Sequence, residues 1–350
     1  MPIPSVSGVL STEQVRATGA SIAAMQEPAG ALPWFPGGKT DPWDHVESAM
    51  ALSATGFRRE AEAAYDWLRR TQRPDGSWPI EWRAGRVVDP GVDSNFCAYI
   101  AVGVWHHFLI VDDTDFLVRM WPAVRDAIER VLVFARSDGA FRWAADHETG
   151  AMFANALITG NSSIYTALQC GIRIAEALDE PVTWRDGADG LADAFDAEMA
   201  QRGSVFDPPS VHSMDWYYPV LGGAVRGATG RELIAAHWDE FVVDGLGARC
   251  VVDHPWVTGA ETCELAMAVE ALGDVDRAAV LVESIQHLRE DDGSYWTGLV
   301  FSDGKRWPVE LSCWTAGAVV LAADAISRAT PGSGIFRDIE QTRIASAVHR

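Results

Sequence analysis

The chain has 350 residues, of which 48% are hydrophobic and 22% charged, and its formal net charge is −21. This composition is typical of a globular protein with enough apolar material for a large core, and it excludes a disordered chain. The negative charge would repel phosphate backbones and anionic lipid, so we expect no nucleic acid and no membrane surface as partners.

The chain shows no sign of export, membrane insertion or a bound cofactor. Residues 1–6 have neither a basic start nor a long apolar stretch, so no secretory signal is expected and a cytoplasmic location is predicted. Apolar runs such as 316–323 are too short to span a membrane. Five scattered cysteines without a CxxC pair indicate neither a disulfide framework nor a zinc site. No P-loop, GxGxxG or GxSxG motif is present, so no cofactor and no metal are predicted.

Helical periodicity dominates the chain, and two kinds of helix alternate along it. After a first helix over 11–26, six segments are apolar or small on all sides and are expected to be buried: 48–54, 96–109, 163–175, 218–228, 262–272 and 311–325. Between them lie segments with one polar face, typical of outer helices: 58–71, 120–136, 182–199 and 277–289. No linker divides the chain, so we predict one domain over 1–330 and a C-terminal tail over 331–350.

Three of the joins share an Asp-Gly turn followed two residues later by an aromatic residue, at 74–78, 137–141 and 291–295. This pattern is typical of a tight turn that enters a short extended stretch. Helical hairpins repeated six times bury their apolar faces only against their neighbours, and a ring leaves no open edge. The predicted fold is therefore all-α, an (α/α)6 toroid of six helical hairpins with inner and outer helix rings.

The openings of the inner helices are rich in aromatic and acidic residues. Five of the six openings carry a carboxylate, at 41–47, 93–96, 214–218, 256–261 and 307–310, whereas the opening at 159–165 carries none. In a toroid these openings surround one end of the ring, so we expect the site there.

Paired carboxylates at these openings point to glycoside hydrolysis, which needs one protonated and one ionised carboxyl group about 5–10 Å apart. The candidate catalytic residues are Glu310, Glu261, Asp215, Asp44 and Glu47. Each could instead be structural, since aspartate is a preferred N-cap residue and carboxylates stabilise the first turn of a helix.

Aromatic and polar side chains near the same openings are candidates for substrate binding, because flat rings stack on the apolar faces of sugars. The candidate binding residues are Trp43, Asn161, His212, Trp216, Tyr217, His254, Trp256 and Trp307.

Several short motifs resemble those of known toroid families. The residues Asp115-Phe116-Leu117, Trp121-Pro122-Ala123-Val124, Ala127-Ile128 and Asp138-Gly139 are similar to a signature of the six-hairpin glycosidases, glucoamylase-like enzymes in particular. This resemblance implies a saccharide substrate, with Glu310 as general base before the last inner helix. From the carboxylates at the other openings, we expect Asp215 or Glu261 to be the acid. Where glucoamylase-like enzymes carry their acid, this chain has Gly160-Asn161-Ser162-Ser163.

A second resemblance leads to an alternative function. Residues 64–78 look like one QW repeat of the terpenoid cyclase and prenyltransferase toroids, and the blocks 215–223 and 253–265 resemble bacterial proteins labelled prenyltransferase. The DxDD acid motif of protonation-initiated cyclases is missing, since 112–115 reads Asp-Asp-Thr-Asp.

The sequence therefore predicts a carbohydrate-active, glycoside hydrolase-like enzyme that binds a small-molecule or oligosaccharide substrate in the mouth of the toroid. The alternatives are an enzyme that binds an isoprenoid diphosphate in an aromatic cavity, and a non-catalytic glycan-binding toroid. The oligomeric state is not predicted.

Overall fold

A computed structural model describes residues 2–201 and 205–339. The helices of this part of the chain are α1 Thr12–Met25, α2 Pro42–Ala54, α3 Arg58–Thr71, α4 Ser94–Ala98, α5 Ile100–Val111, α6 Thr114–Leu132, α7 Ile158–Ala177, α8 Arg185–Gln201, α9 Met214–Leu221, α10 Gly227–Ala236, α11 Trp238–Phe241, α12 Gly259–Ala271, α13 Val275–Ser284 and α14 Cys313–Ser327. A short 3₁₀ helix spans Gln286–Leu288.

The inner ring consists of six positions, occupied in turn by α2, the pair α4 and α5, α7, α9, α12 and α14. Each inner helix packs against the next, and α14 packs back against α2, so the ring is closed. Every residue of α2 is buried, and α12 and α14 are buried along almost their whole length. A helix that is apolar on all sides is stable only with neighbours on all sides, which the ring provides. The predicted all-α (α/α)6 toroid is confirmed.

The outer ring is made of amphipathic helices. Helix α3, for example, buries Tyr65, Trp67 and Leu68 and leaves its arginines exposed. The sixth outer position is filled by α1, which packs against α14 and α2. The sequence pattern presents α1 as an additional helix before the first hairpin, whereas in the fold it completes the last one.

The three Asp-Gly turns each pack against the next outer helix. Gly76, Gly139 and Gly293 all have a positive φ, between 84° and 91°. A side chain at these positions would overlap the backbone of α6, α8 and α1, respectively. Glycine is therefore needed both for its φ angle and for the close approach. The contact of Gly293 with α1 closes the outer ring.

Short antiparallel strands join the outer helices to the inner ones. They are β1 Lys39–Thr40, β2 Glu81–Arg83, β3 Arg86–Asp89, β4 Val92–Asp93, β5 Ala144–Ala145, β6 Val242–Val243, β7 Gly247–Arg249, β8 Trp256–Thr258, β9 Gly298–Val300 and β10 Lys305–Arg306. They form sheets in the orders β1-β2-β3, β4-β5 and β10-β9-β8-β7-β6. Strand β8 runs directly into α12, and Thr258 of this strand lies opposite Gly298 of β9. These sheets fix the entry of the inner helices and thereby the positions of their first turns.

Within the described part of the chain, the stretch Ser94–Val111 is the one helical segment long and apolar enough to cross a membrane by length and composition. The sequence-based expectation overlooked its length. In the fold, 72% of this stretch is buried, as in the core helix of a toroid.

The chain after α14 packs against the rest of the fold. Ile335 and Phe336 are buried, and the Arg337 guanidinium lies 2.6 Å from a Glu270 carboxylate oxygen. The predicted tail over 331–350 falls partly outside the described residues, from 340 onward, and its boundary stays a prediction.

Candidate active site

The openings of the inner helices surround a cavity of about 440 Å³, called the central cavity below. Its lining includes four carboxylates and many aromatic rings: Asp41, Asp44, Asp93, Glu261, Trp34, Trp43, Phe96, Trp143, Tyr218, Trp256, Trp307 and Trp314. An apolar lining with a few polar groups is the usual character of a small-molecule site.

Asp41 caps helix α2. One of its carboxylate oxygens accepts a hydrogen bond from the Asp44 amide at 2.9 Å. The other lies 3.2 Å from the Lys39 ammonium and accepts a hydrogen bond from the Trp34 indole at 3.2 Å. Both oxygens of Asp41 are thus used to begin the helix and to hold Lys39 and Trp34 at the cavity wall.

Asp44 lies one turn further into α2, is only 6% exposed, and accepts a hydrogen bond from the Trp34 indole. Burial and the nearby charge of Asp41 raise the pKa of Asp44 well above its ordinary value, although the charge of Lys39 acts in the opposite direction. A carboxyl group that holds its proton is the form that a general acid requires.

Glu261 lies in the first turn of α12 and also lines the central cavity. It is buried, and its Oε2 atom has no hydrogen-bond partner among residues 2–201 and 205–339. The hydroxyl of Thr258, at the N-cap of the same helix, is buried without a partner in the same part of the chain.

Trp43 and Asn95 of the central cavity also have a buried polar atom without a hydrogen bond within the described residues. These atoms are the indole nitrogen of Trp43 and the amide oxygen of Asn95. A buried polar atom without a partner costs about 1–3 kcal/mol, so such atoms are rare and usually serve a bound molecule or water. The unpaired atoms of Trp43, Asn95, Thr258 and Glu261 belong to residues of the cavity lining and include both donors and acceptors.

Two buried carboxyl groups lie beneath the cavity floor. The Tyr99 hydroxyl donates to Glu47 at 3.3 Å, and the Trp314 indole donates to Glu264 at 3.3 Å. Burial raises the pKa of Glu47 to about 8 and that of Glu264 well above its ordinary value. Tyr99 stacks on Trp43 with ring centroids 4.9 Å apart, and Trp314 lines the cavity. These carboxyl groups therefore hold the aromatic rings of the floor in place.

The structure brings six of the residues predicted from the sequence to the central cavity: Trp43, Asp44, Asn161, Trp256, Glu261 and Trp307. Two others lie beneath its floor. One is Glu47. The other is Tyr217, and its hydroxyl group donates a hydrogen bond to Glu264. Asn161 also has a structural task, because its amide group bonds to the Phe141 backbone at 2.7 and 2.9 Å.

Glu310 is placed beside the central cavity and does not line it. Its Oε1 atom accepts a hydrogen bond from the Thr297 hydroxyl at 3.2 Å, and Thr297 is the residue that lines the cavity. Partial burial raises the pKa of Glu310. The role of general base predicted for Glu310 stays a prediction.

Three predicted residues line a second cavity of about 570 Å³, namely His212, Asp215 and Trp216. The Asp215 carboxylate accepts hydrogen bonds from the Thr159 hydroxyl at 2.5 Å and the Ser210 amide at 2.7 Å, which tie the start of α9 to the first turn of α7 and to the loop before α9. His254 is exposed and lies 2.8 Å from Asp253.

Other residues of the site were missed in the sequence. Asn95 belongs to the acidic opening at 93–96, and Glu264 follows Glu261 by three residues in a helix without a polar face, so both carried a signal. Trp34 also carried a signal, because it lies just before the opening at 41–47 and donates to Asp41 there, whereas the place of Trp314 depends on the closure of the ring. Within the described residues, no group of His, Cys, Asp and Glu side chains is arranged to hold a metal ion.

Comparison with known proteins identifies the family of the chain. No protein-family model matches it. An MMP endo-(1,4)-3-O-methyl-alpha-D-mannosidase from Mycolicibacterium hassiacum is 52% identical over 342 residues, which cover 97% of this chain and 94% of that protein. The chain belongs to this mannosidase family.

Solved structures with low sequence identity share the fold of this chain. A glycosidase variant in complex with glucose has a TM-score of 0.71 at 16% identity and covers 90% of this chain and 96% of its own. A rhamnosidase from Klebsiella oxytoca with rhamnose bound has a TM-score of 0.65 at 14% identity and covers 92% of this chain and 65% of its own. A D-mannose isomerase has a TM-score of 0.65 at 11% identity and covers 89% and 97%.

The mannosidase family confirms the predicted glycosidase-like toroid and the glycoside hydrolase-like class of enzyme. The narrower resemblance to glucoamylase-like enzymes and the isoprenoid alternative stay predictions.

Proposed function

We propose that the protein is an endo-acting glycoside hydrolase that cleaves α-(1→4) bonds in a 3-O-methylated mannose saccharide, with Asp44 as general acid and Glu261 as its catalytic partner. The observation that carries this proposal is that Asp44, with its raised pKa, and Glu261, with an unpaired oxygen, line the same cavity. The bond type and the methylated mannose are taken from the name of the 52% identical relative.

The other two carboxylates of the cavity are less suited to the reaction. Asp41 uses both of its oxygens within the protein, as described above. Asp93 is the N-cap of α4, where its carboxylate accepts a hydrogen bond from the Phe96 amide at 3.0 Å. Burial raises the pKa of Asp93 to about 7 as well, but because Asp93 caps a helix we assign the glycosidic bond to Asp44 and Glu261.

In the proposed reaction Asp44 transfers its proton to the glycosidic oxygen as the bond from that oxygen to the anomeric carbon breaks. Glu261 either removes a proton from the water that attacks the anomeric carbon or forms a glycosyl ester that water then hydrolyses. In both cases water adds a hydroxyl group to the new reducing end, and the net proton balance is zero. The first route inverts the anomeric configuration and the second retains it.

The aromatic floor supports the binding of the sugar rings. Trp43 and Trp314 are held edge to face, with ring centroids 6.4 Å apart, and Trp43 is also stacked on Tyr99. Fixed indole rings offer flat apolar surfaces to the CH faces of a pyranose, and the Trp43 nitrogen adds a donor for a hydroxyl group.

The test is hydrolysis of an α-(1→4)-linked, 3-O-methylated manno-oligosaccharide, with products followed by mass spectrometry and their anomeric form by NMR. We expect internal cleavage into shorter oligosaccharides. Asp44→Asn and Glu261→Gln should each lower kcat by about 10²- to 10⁴-fold, the usual contribution of a general acid or base.

Asp215→Asn is the matched control, because this carboxylate lines the second cavity and should leave kcat within tenfold of the wild type. Release of monosaccharides alone would contradict endo action. Undiminished turnover by Asp44→Asn or Glu261→Gln would contradict the assignment of the pair.

A further inference from the structure

Four of the ten large hydrophobic side chains that are exposed in the described part of the chain lie at or next to the lining of the central cavity. Phe153, Leu157, Trp307 and Val309 are 47%, 42%, 53% and 83% exposed, and together they are called the apolar rim below. Leu157 and Trp307 line the cavity. Phe153 packs against Trp143 of the lining with ring centroids 5.5 Å apart, and Val309 follows Pro308 of the lining.

The apolar rim has two halves on opposite sides of the mouth. Phe153 and Leu157 precede α7, whereas Trp307 and Val309 precede α14. In the closed inner ring, two helix positions separate α7 from α14 in either direction, by way of α9 and α12 or of α5 and α2. A chain of sugars that crosses the mouth from one of these sides to the other would contact both halves.

Local contacts fix the exposed segments of the apolar rim. The Trp307 ring stands edge to face against Trp256 at 4.8 Å, and the Trp256 indole donates to the Trp307 carbonyl at 2.8 Å. On the opposite side, the Phe153 amide donates to Ala144 of β5 at 3.0 Å. Single exposed valines such as Val118 and Val280 on outer helices are ordinary, but apolar side chains gathered around a polar cavity usually mark a binding surface.

We propose that the apolar rim recognises the O-methyl groups of the saccharide and so selects a methylated substrate over an unmethylated one. This inference rests on the proposed function. Methylation removes a hydroxyl donor and adds a methyl group, which gains free energy when an apolar surface covers it. Burial of one such group corresponds to about a three- to fivefold gain in affinity.

Recognition of the saccharide is thus divided between two parts of the site. The unpaired polar atoms in the depth of the cavity serve the free hydroxyl groups of the sugar at the cleaved bond. The rim serves the methyl groups on the sugars to either side of that bond.

The experiment compares kcat/KM for two α-(1→4)-linked manno-oligosaccharides of equal length, one 3-O-methylated and one not. The measured quantity is the ratio of the two values. We expect the wild type to favour the methylated substrate at least tenfold. Leu157→Ser and Val309→Ser should each reduce this ratio about three- to fivefold, and the double variant should reduce it by about the product, since the two sites lie on opposite sides of the mouth.

Val280→Ser is the matched control, because it removes a 60% exposed valine from the outer helix α13 and should leave the ratio unchanged. Val309 is almost fully exposed, so its variant is expected to fold, which a thermal melt checks. If the wild type cleaves both substrates equally, or if the rim variants keep the wild-type ratio, the rim inference is overturned while the proposed function stands. If neither substrate is cleaved, the proposed function fails and the rim inference with it.

Discussion

Asp41 and Asp44 lie one helical turn apart at the start of α2, and the carboxylate of Asp41 accepts a hydrogen bond from the backbone amide of Asp44 at 2.9 Å. The two carboxyl groups have different tasks. Asp41 caps the helix and pairs with Lys39, while its negative charge adds to the burial that raises the pKa of Asp44. A helix cap thus also adjusts the proton affinity of the proposed acid.

The surroundings of Asp44 predict how the activity should depend on pH. The charge of Lys39 lowers the pKa of Asp44, so Lys39→Met should raise that pKa further. Because a general acid works only when protonated, activity falls as the pH rises through its pKa, and the alkaline limb of the kcat/KM profile should move to higher pH. The exposed Lys305, paired with Asp303, provides the control Lys305→Met, for which no movement is expected. An alkaline limb that moves to lower pH in Lys39→Met would contradict the role of Asp44.

Glu47 should make the folded protein less stable in alkaline solution. Burial raises its pKa from 4.5 to about 8, so the folded protein holds a proton that the unfolded chain releases. The stability that this proton contributes is fully present below about pH 4.5 and is lost as the pH rises through 8. Glu47→Gln keeps the neutral shape, so its melting temperature relative to the wild type should increase by at least about 3 °C between pH 5 and pH 8.5.

Melting curves of both proteins across this range test the prediction on Glu47. Glu13→Gln, at an exposed position in α1, should keep a constant difference from the wild type. A constant difference for Glu47→Gln as well would show that Glu47 is charged in the folded protein.

Replacement of glutamate by glutamine should have different effects on activity at Glu310 and at Glu261. Glu310 is not among the residues that line the central cavity, so Glu310→Gln should lower kcat/KM less than tenfold, whereas Glu261→Gln should lower it by at least about a hundredfold. Steady-state kinetics of the two variants on one oligosaccharide decide between them. The reverse order would restore Glu310 as the base, as the resemblance to glucoamylase-like enzymes implies.

Gly139 should be one of the most sensitive positions in the outer ring. Its φ is +87°, and a side chain there would overlap the Gly190 carbonyl of α8. Gly139→Ala should lower the free energy of unfolding by at least about 3 kcal/mol. Gly150 has a φ of +67° with open space around it, so Gly150→Ala measures the backbone cost alone, about 1 kcal/mol. Urea titrations of both variants give the comparison, and equal losses would mean that the contact with α8 is not needed.

The sequence predicted the toroid because its signals are local. The buried inner helices have no polar face, the outer helices have one, and the Asp-Gly turns mark the joins, so each hairpin can be recognised from its own residues. The place of α1 could not be predicted in this way. Its partner α14 lies almost 300 residues away, and nothing in residues 12–25 indicates which helix they will contact.

The same distinction holds for the candidate site. Asp44, Glu261 and four other predicted residues reach the central cavity because they sit in or near the first turn of an inner helix, which the sequence pattern marks. Asp215 occupies an equivalent position at the start of α9, but its carboxylate bonds to Thr159 in the first turn of α7 and to Ser210 in the loop before α9. Packing between hairpins decides which side of the first turn faces the cavity. This orientation cannot be predicted from the sequence of a single hairpin.

The pairing of α1 with α14 has a consequence for how the protein is made. During synthesis, α1 leaves the ribosome long before α14. Its apolar residues Val15 and Ile22 therefore lack part of their packing until α14 has been made. Contacts between the two ends of a chain are costly to form and are made late. The first and last helices are therefore where a growing chain is most exposed to aggregation, and a ribosome that stops before residue 313 releases a ring with an open seam.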